Sequence, residues 1–201
     1  MDMPIDRRAV LLSAIVDALL AHGAADLSLR PLAERVGTSA RLLIYHFGSK
    51  EQLLADALAQ VREHIQTSLA ARAARVRPQT LRDLVMMVWT WGVEPANQNY
   101  FRLLFEVDGL TMFDRIGVSQ AEGRDHSAVW IARIERAAAS LPTESALFAA
   151  HSTLILGALT GLLQDLLSTG EGARCEAALS ALVDLISGNL PAPAQTQGPK
   201  S

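Results

Sequence analysis

Hydroxyl, guanidinium, phenol, imidazole and ammonium groups are concentrated between residues 28 and 50 of this chain. Such groups donate hydrogen bonds to phosphate oxygens and to base edges. An arginine can pair with both acceptors of a guanine edge, whereas hydroxyls, helix N-termini and a lysine suit phosphates. The segment therefore predicts a surface that reads double-stranded DNA. Its candidate residues are Ser28, Arg30, Thr38, Ser39, Arg41, Tyr45, His46 and Lys50.

Two short helices are predicted to position these groups. Ser28 caps the first helix, and Gly37 ends it in a left-handed conformation. Thr38 or Ser39 caps the second helix, which Gly48 ends. This is the layout of a helix-turn-helix, whose second helix enters the major groove. The predicted inward residues are Leu29, Leu32, Ala33 and Val36 on the first helix and Ala40, Leu43, Ile44 and Phe47 on the second.

A capping box at Ser49–Gln52 opens a long helix that reaches about Arg75, and Pro78 ends that segment. A supporting helix upstream carries Leu11, Ile15, Ala18 and Leu19 on one face and ends near Gly23. We therefore predict a DNA-binding domain over residues 1–50. A helical ligand-binding and dimerisation domain is predicted over 51–190, and a disordered tail rich in Pro, Gln and Gly over 191–201.

The helix-turn-helix segment resembles the TetR family of transcriptional repressors. The resemblance implies an all-α homodimer with a variable ligand-binding body. It also implies that Ser28 and Arg30 lie near phosphates. Thr38, Ser39 and Arg41 would lie at the tip of the recognition helix, and Tyr45, His46 and Lys50 would touch bases or the DNA backbone. Residues at the family's spacing are Leu32-Ala33, Val36-Gly37, Ser39, Leu43, Tyr45-His46-Phe47, Ser49-Lys50-Glu51 and Leu53-Leu54.

Three positions depart from the family's usual residues. Ala40 stands where lysine is common, Arg41 where glycine is common, and Ile44 where an aromatic residue is common. Arg41 offsets the charge lost at Ala40. These changes bear on which operator is read, and not on DNA binding itself. Short helical hairpins also occur in proteins that bind no DNA, and there Tyr45 and His46 would be half-buried polar residues closing the motif.

Composition favours an all-α protein with a sizeable core, since half of the 201 residues are hydrophobic and strand-like alternation is scarce. We find neither a bilayer-spanning stretch nor a signal peptide, so we expect a cytoplasmic protein without a membrane partner. Residues 1–78 carry ten basic and eight acidic side chains, whereas residues 79–190 carry seven and thirteen. The N-terminal part is therefore less acidic than the rest of the chain. The single cysteine, Cys175, is either buried and idle or a redox sensor.

The body is predicted to contain helices over residues 80–92, 99–107, 125–140, 143–168 and 173–187, with a loop and a short helix over 108–124. Small residues on the last two helices would let another helix approach closely, which favours a two-fold contact over packing within one chain. The predicted dimer residues are Leu154, Gly157, Ala158, Gly161, Leu162, Asp165, Ala178, Leu182 and Leu185.

Aromatic and methionine residues between 86 and 130, with His151, are candidates for the walls of an effector pocket. An ordinary filled core is the alternative, and His151 could equally bridge subunits or lie satisfied in a core. Polar candidates at the same site are Asn97, Gln98, Asn99, Glu106 and His126. The predicted ligand-binding residues are Met86, Trp89, Phe101, Phe105, Met112, Phe113, Trp130 and His151.

No motif indicates an enzyme, a metal site or a cofactor. The residues and the resemblance together predict a homodimeric transcriptional regulator, and the resemblance implies that it is a repressor. It would bind a palindromic operator through residues 39–47 and respond to a small, mainly hydrophobic effector. One alternative is a helical small-molecule binder or scaffold whose N-terminal domain no longer binds DNA. Another is a regulator that activates transcription or responds to a protein partner.

Overall fold

The computed structural model describes residues 6–25, 27–116, 128–132, 135–136, 139, 141 and 145–188. These residues form helices and turns, and no strand occurs among them. Residues 128–132 and 135–136 are helical, inside the predicted 125–140 helix, while the predicted tail lies outside the described residues. The other helices are α1 (Arg7–His22), α2 (Leu29–Arg35), α3 (Ala40–Phe47), α4 (Lys50–Val76), α5 (Leu81–Val93), α6 (Pro95–Met112), α7 (Ser145–Thr169) and α8 (Gly172–Gly188).

The chain divides into two compact units, and α4 contributes residues to both. The first unit comprises Met1–Ala71 and Glu94–Asp125, and the second comprises Arg72–Val93 and His126–Ser201. This division follows packing within the chain. It groups much of α4 and all of α6 with the segment 1–50, so the functional boundary at residue 50 stays a prediction.

Apolar side chains of α1, α2, α3 and α4 form the core of the first unit. Here α1 packs against α2 and α6, and α2 packs against α3. Burial of each apolar side chain supplies about 1.5–3 kcal/mol, which is why these short helices are stable only together. The fully buried residues include Ile15, Leu19, Leu43, Leu53, Leu54, Leu58 and Ile65.

In the second unit, α5 packs against α7 and α8, and α7 packs against α8. Trp89 of α5, Ile155 of α7 and Leu179 of α8 are fully buried there. The Arg82 guanidinium ties α5 to α8, because it donates to the Ser180 hydroxyl at 2.9 Å and forms an ion pair with Asp184. The prediction of a deeply buried helix near residues 80–92 is confirmed.

The helix α6 differs from its predicted form. We expected a turn at Pro95, a helix over 99–107 and a loop from residue 108, but α6 begins at Pro95 and continues to Met112. Proline suits the first helical turn, where its missing N–H has no partner to lose. Gly109 is helical, because the buried residues Leu103, Leu104 and Val107 hold this helix in the unit and outweigh its low propensity.

No described helix is both long enough and apolar enough to cross a bilayer. In the same described part of the chain, histidine, cysteine and carboxylate side chains nowhere gather in threes as a metal ion would require.

Candidate DNA-binding site

The recognition helix α3 is held by a cap at each end and by two buried side chains. The Ser39 hydroxyl accepts from the backbone N–H of Leu42 at 3.2 Å, as predicted. Gly48 ends the helix with φ of 80°, and Leu43 and Phe47 bury the inner face. Ile44 was predicted to belong to that face, and this is wrong, since Ile44 is 39% exposed. In this two-turn helix Leu43 and Phe47, four residues apart, define the buried face, and Ile44 lies at its edge.

The opposite face of α3 is open to solvent. Tyr45 is 79% exposed, and Ser39 and Arg41 are exposed as well. His46 is half-buried, with its ring edge-on to Tyr45 at 5.1 Å and to Phe47 at 6.5 Å between centroids. The Arg41 guanidinium forms no hydrogen bond or ion pair with any described residue. A guanidinium, a phenol and an imidazole are therefore presented together beside a capped helix N-terminus.

The remaining predicted contacts lie on the neighbouring segments of the same unit. Ser28 and Arg30 are exposed at the start of α2, and Thr38 is half-buried in the turn before α3. Ser28 was predicted to cap α2, but its side chain makes no cap hydrogen bond. Lys50 is half-buried and is the first residue of α4. The helix-turn-helix thus brings all the predicted DNA-contacting residues into one unit.

The predicted capping box at the start of α4 is only half formed. The Ser49 hydroxyl accepts from the backbone N–H of Gln52 at 3.0 Å. The Gln52 amide does not return to Ser49 and donates instead to Asp56 at 2.9 Å. The Glu51 carboxylate has a pKa below its ordinary value. The main cause is a hydrogen bond with the backbone N–H of Glu51 itself, and a hydrogen bond with the Ser49 side chain is the second cause.

Arg8 of α1 has an internal role in the first unit. Its guanidinium forms an ion pair with Asp56 at 2.5 Å, donates to the carbonyl of His46 at 3.3 Å, and lies 5.0 Å from the Phe47 ring centroid. A cation there satisfies a carbonyl in the last turn of α3 and favours the negative end of the helix dipole. Arg8 thus joins α1, α3 and α4. The sequence carries no local signal for this, because Arg8 and Asp56 are 48 residues apart.

Glu106 was considered as a polar group of the effector pocket, and the structure places it against the turn after α1. Its carboxylate accepts from the backbone N–H of Ala24 at 2.7 Å and from that of Ala25 at 3.0 Å. Gly23 takes φ of 77°, and a Cβ atom there would lie 2.6 Å from the Glu106 carboxylate. This glycine serves both as the left-handed end of α1 and as the space for the carboxylate.

The predicted effector residues are divided between the two units. In the first, the rings of Phe101 and Phe105 lie 6.3 Å apart, and Met112 and Phe113 are 71% and 76% exposed. In the second, Trp89 is buried, and Met86, Trp130 and His151 are half-buried. Their role as a ligand site stays a prediction. His126 lies outside the described residues.

The predicted dimer residues of α7 and α8 differ in exposure. The exposed ones are Leu154, Gly157, Gly161, Ala178 and Leu185, and the half-buried ones are Ala158, Leu162, Asp165 and Leu182. Leu154 and Leu185 are 48% and 53% exposed, and added Cβ atoms at Gly157 and Gly161 would meet open space.

Asp165 accepts from Arg174 at 2.9 Å and from the Cys175 thiol at 3.6 Å. Cys175 is fully buried, and burial, followed by the charge of Asp165, raises the pKa of its thiol.

A capped helix with a solvent-facing polar side, supported by α1 and α2, defines a helix-turn-helix protein of the DNA-binding class. Residues 11–57 match the family model described as bacterial regulatory proteins, tetR family. The helix-turn-helix segment of this chain is thus that of the TetR family. Members of that family are transcriptional regulators and not enzymes.

Solved structures share the fold over nearly the whole chain. A transcriptional regulator from Rhodococcus sp. Rha1 has a TM-score of 0.68 at 19% identity, covering 90% of this chain and 95% of that one. A Rhodococcus sp. protein described as a TetR-family transcriptional regulator has a TM-score of 0.67 at 19% identity, with coverages of 90% and 97%. A regulator from Pseudomonas aeruginosa PAO1 has a TM-score of 0.64 at 19% identity and covers 93% of each chain. No curated protein matches the sequence.

Proposed function

We propose that this chain is a cytoplasmic homodimeric repressor that binds a palindromic operator and is released or modulated by a small, mainly hydrophobic effector. The observation that carries the proposal is the exposed face of α3, where Arg41 and Tyr45 point to solvent beside the cap at Ser39. Residues 39–47 would enter the major groove. Two such heads would read half-sites roughly 34–36 Å apart, or a multiple of that distance.

The proposal predicts sequence-selective and salt-sensitive binding to DNA upstream of the regulated genes. Few cations surround α3, so each head is expected to neutralise few phosphates. The slope of log affinity against log salt concentration, about −0.9 for each neutralised phosphate, should therefore be modest. Fluorescence anisotropy with the chain's own upstream DNA, an unrelated duplex and a series of salt concentrations measures both properties. Equal affinity for both duplexes at physiological salt would contradict the proposal and favour the alternative of a helical binder with an inactive head.

The proposed dimer uses the exposed face of α7 and α8. Small residues at Gly157, Ala158 and Gly161 permit close approach of a second helix, and Leu154 and Leu185 provide apolar area that a partner could cover. A two-fold contact through such a face pairs each helix with its own copy. Two-fold symmetry would also supply the two heads that a palindrome requires.

A Gly161→Arg variant is expected to convert the dimer into monomers while leaving the fold intact. The added side chain meets open space in the single chain but would block a closely packed second helix. Sedimentation velocity measures the change in mass, and circular dichroism checks the helix content. A matched control is Ser187→Arg, which places the same group at an exposed position outside the predicted face. A dimer that survives Gly161→Arg would show that the contact lies elsewhere.

The effector component of the proposal rests on the apolar residues of the body. Trp89 is buried in the second unit, with Trp130 and His151 half-buried in the same unit. Apolar walls with few polar groups suit a hydrophobic ligand. If no apolar compound changes operator affinity in the anisotropy assay, this component is wrong while the DNA-binding component stands.

A further inference from the structure

A surface pocket of about 470 Å³ opens in the second unit where α4 ends and α5 begins. Its volume falls within the range of small-molecule sites. Of the predicted effector residues, Met86 alone lines it. Four apolar residues and two arginines dominate its wall, namely Val76, Pro78, Met86, Met87, Arg72 and Arg77.

Arg77 brings a positive charge to this pocket. Asp83 also lines it, but its carboxylate is engaged by the backbone N–H groups of Gln79 at 3.1 Å and Thr80 at 3.0 Å. Those hydrogen bonds, with that from the Thr80 side chain, hold the pKa of Asp83 below its ordinary value. The Arg77 guanidinium makes no hydrogen bond or ion pair with the described residues. Arg77 is therefore the cation of this pocket with which one anionic group would pair.

The backbone at Arg77 is held in an unusual conformation that keeps this residue at the pocket. Its φ is 51°, a left-handed value that non-glycine residues rarely adopt. Two hydrogen bonds hold it there, since its N–H donates to the carbonyl of Ala73 at 2.8 Å and its carbonyl accepts from the Gln79 amide at 2.8 Å. Pro78 then restricts the next step of the chain. The position of Arg77 is thus determined by the main chain.

We propose that this pocket binds an amphipathic monocarboxylate, with its head group on Arg77 and an unbranched hydrocarbon chain over Met86 and Met87. Guanidinium groups bind carboxylates through paired hydrogen bonds, and methionines adapt their shape to flexible apolar ligands. The ligand would contact the last turn of α4, a helix whose earlier residues belong with the DNA-binding head. Its consequence for operator affinity rests on the proposed function, whereas the binding itself does not.

Isothermal titration calorimetry of the full chain with octanoate tests the binding without any DNA. We expect one octanoate per chain, and about tenfold weaker binding for Arg77→Gln and for octanamide, which lacks the charge. Thr90→Trp should fill the pocket from its exposed rim and abolish binding. The matched control is Arg75→Gln, an exposed arginine on α4 that does not line the pocket, and it should bind like the native chain.

Three results would overturn the proposal: no heat from octanoate, equal affinity of octanoate and octanamide, or unchanged affinity in Arg77→Gln. Melting temperatures of the variants show whether each is folded before its affinity is interpreted. Operator affinity measured separately with and without octanoate tests the regulatory consequence. Octanoate that binds as expected and leaves operator affinity unchanged would overturn that consequence alone, and failure of all operator binding would instead contradict the proposed function.

Discussion

An Arg41→Ala variant is expected to lose about 1–3 kcal/mol of DNA-binding free energy per half-site. It should also no longer discriminate between bases at the one operator position that Arg41 would contact. The reason is geometric, because this exposed guanidinium lies one residue into α3 and has no competing partner among the described residues. Since alanine favours helices, the fold should be unaffected. Anisotropy titrations against operators substituted at each position measure the effect.

Lys50→Ala is the matched comparison for Arg41. Lys50 opens α4, and a lysine there suits phosphate contact, which carries no sequence information directly. Its removal should weaken binding to all DNA about evenly and reduce the salt slope by about 1. The assignment of roles would be contradicted if Arg41→Ala weakened every operator equally, or if Lys50→Ala altered base preference.

Glu106→Ala is expected to lower the free energy of unfolding by roughly 2–4 kcal/mol, since two backbone N–H groups lose a charged acceptor. Ala24 is fully buried, so water does not readily replace that acceptor. Chemical denaturation with a two-state fit measures the loss. Glu63→Ala is a matched control, because Glu63 is exposed on α4 and should change stability by no more than about 0.5 kcal/mol.

A double-mutant cycle with Gly23→Ala sharpens this test. Alanine at position 23 must adopt φ of 77° and place Cβ 2.6 Å from the Glu106 carboxylate, so the single variant should be strongly destabilised. In the Glu106→Ala background the steric part disappears and the backbone strain remains. The two losses should therefore be less than additive, as expected for residues in contact. Strict additivity would show that the carboxylate does not occupy this turn.

Local signals predicted the helix-turn-helix well. Gly37 and Gly48 adopt positive φ where the sequence predicted helix ends, and Ser39 caps α3 through its hydroxyl. The helices predicted over 143–168 and 173–187 agree with α7 and α8 to within about two residues, the usual uncertainty of helix ends. These features depend on neighbours within a few residues, which is why periodicity and capping residues suffice to find them.

Contacts between distant residues could not be predicted in the same way. The loop expected from residue 108 is helical as far as Met112, because burial of α6 against α1 outweighs the low helix propensity of Gly109. Glu106 was assigned to a pocket by its polarity, and it binds backbone N–H groups about 80 residues away. No pattern of local spacing contains that information.

The amino-acid sequence alone determined the all-α class and the helix-turn-helix, since both follow from short-range periodicity and caps, and it placed the predicted DNA contacts on that motif. Tertiary structure decided the partners of the charged groups, and so which of them remain free to bind. Arg8 pairs with Asp56 across 48 residues and Arg82 with Asp184 across 102, whereas Arg41 and Arg77 have no such partner among the described residues. The physical reason is that an ion pair requires proximity in space, which only the packing of whole helices creates.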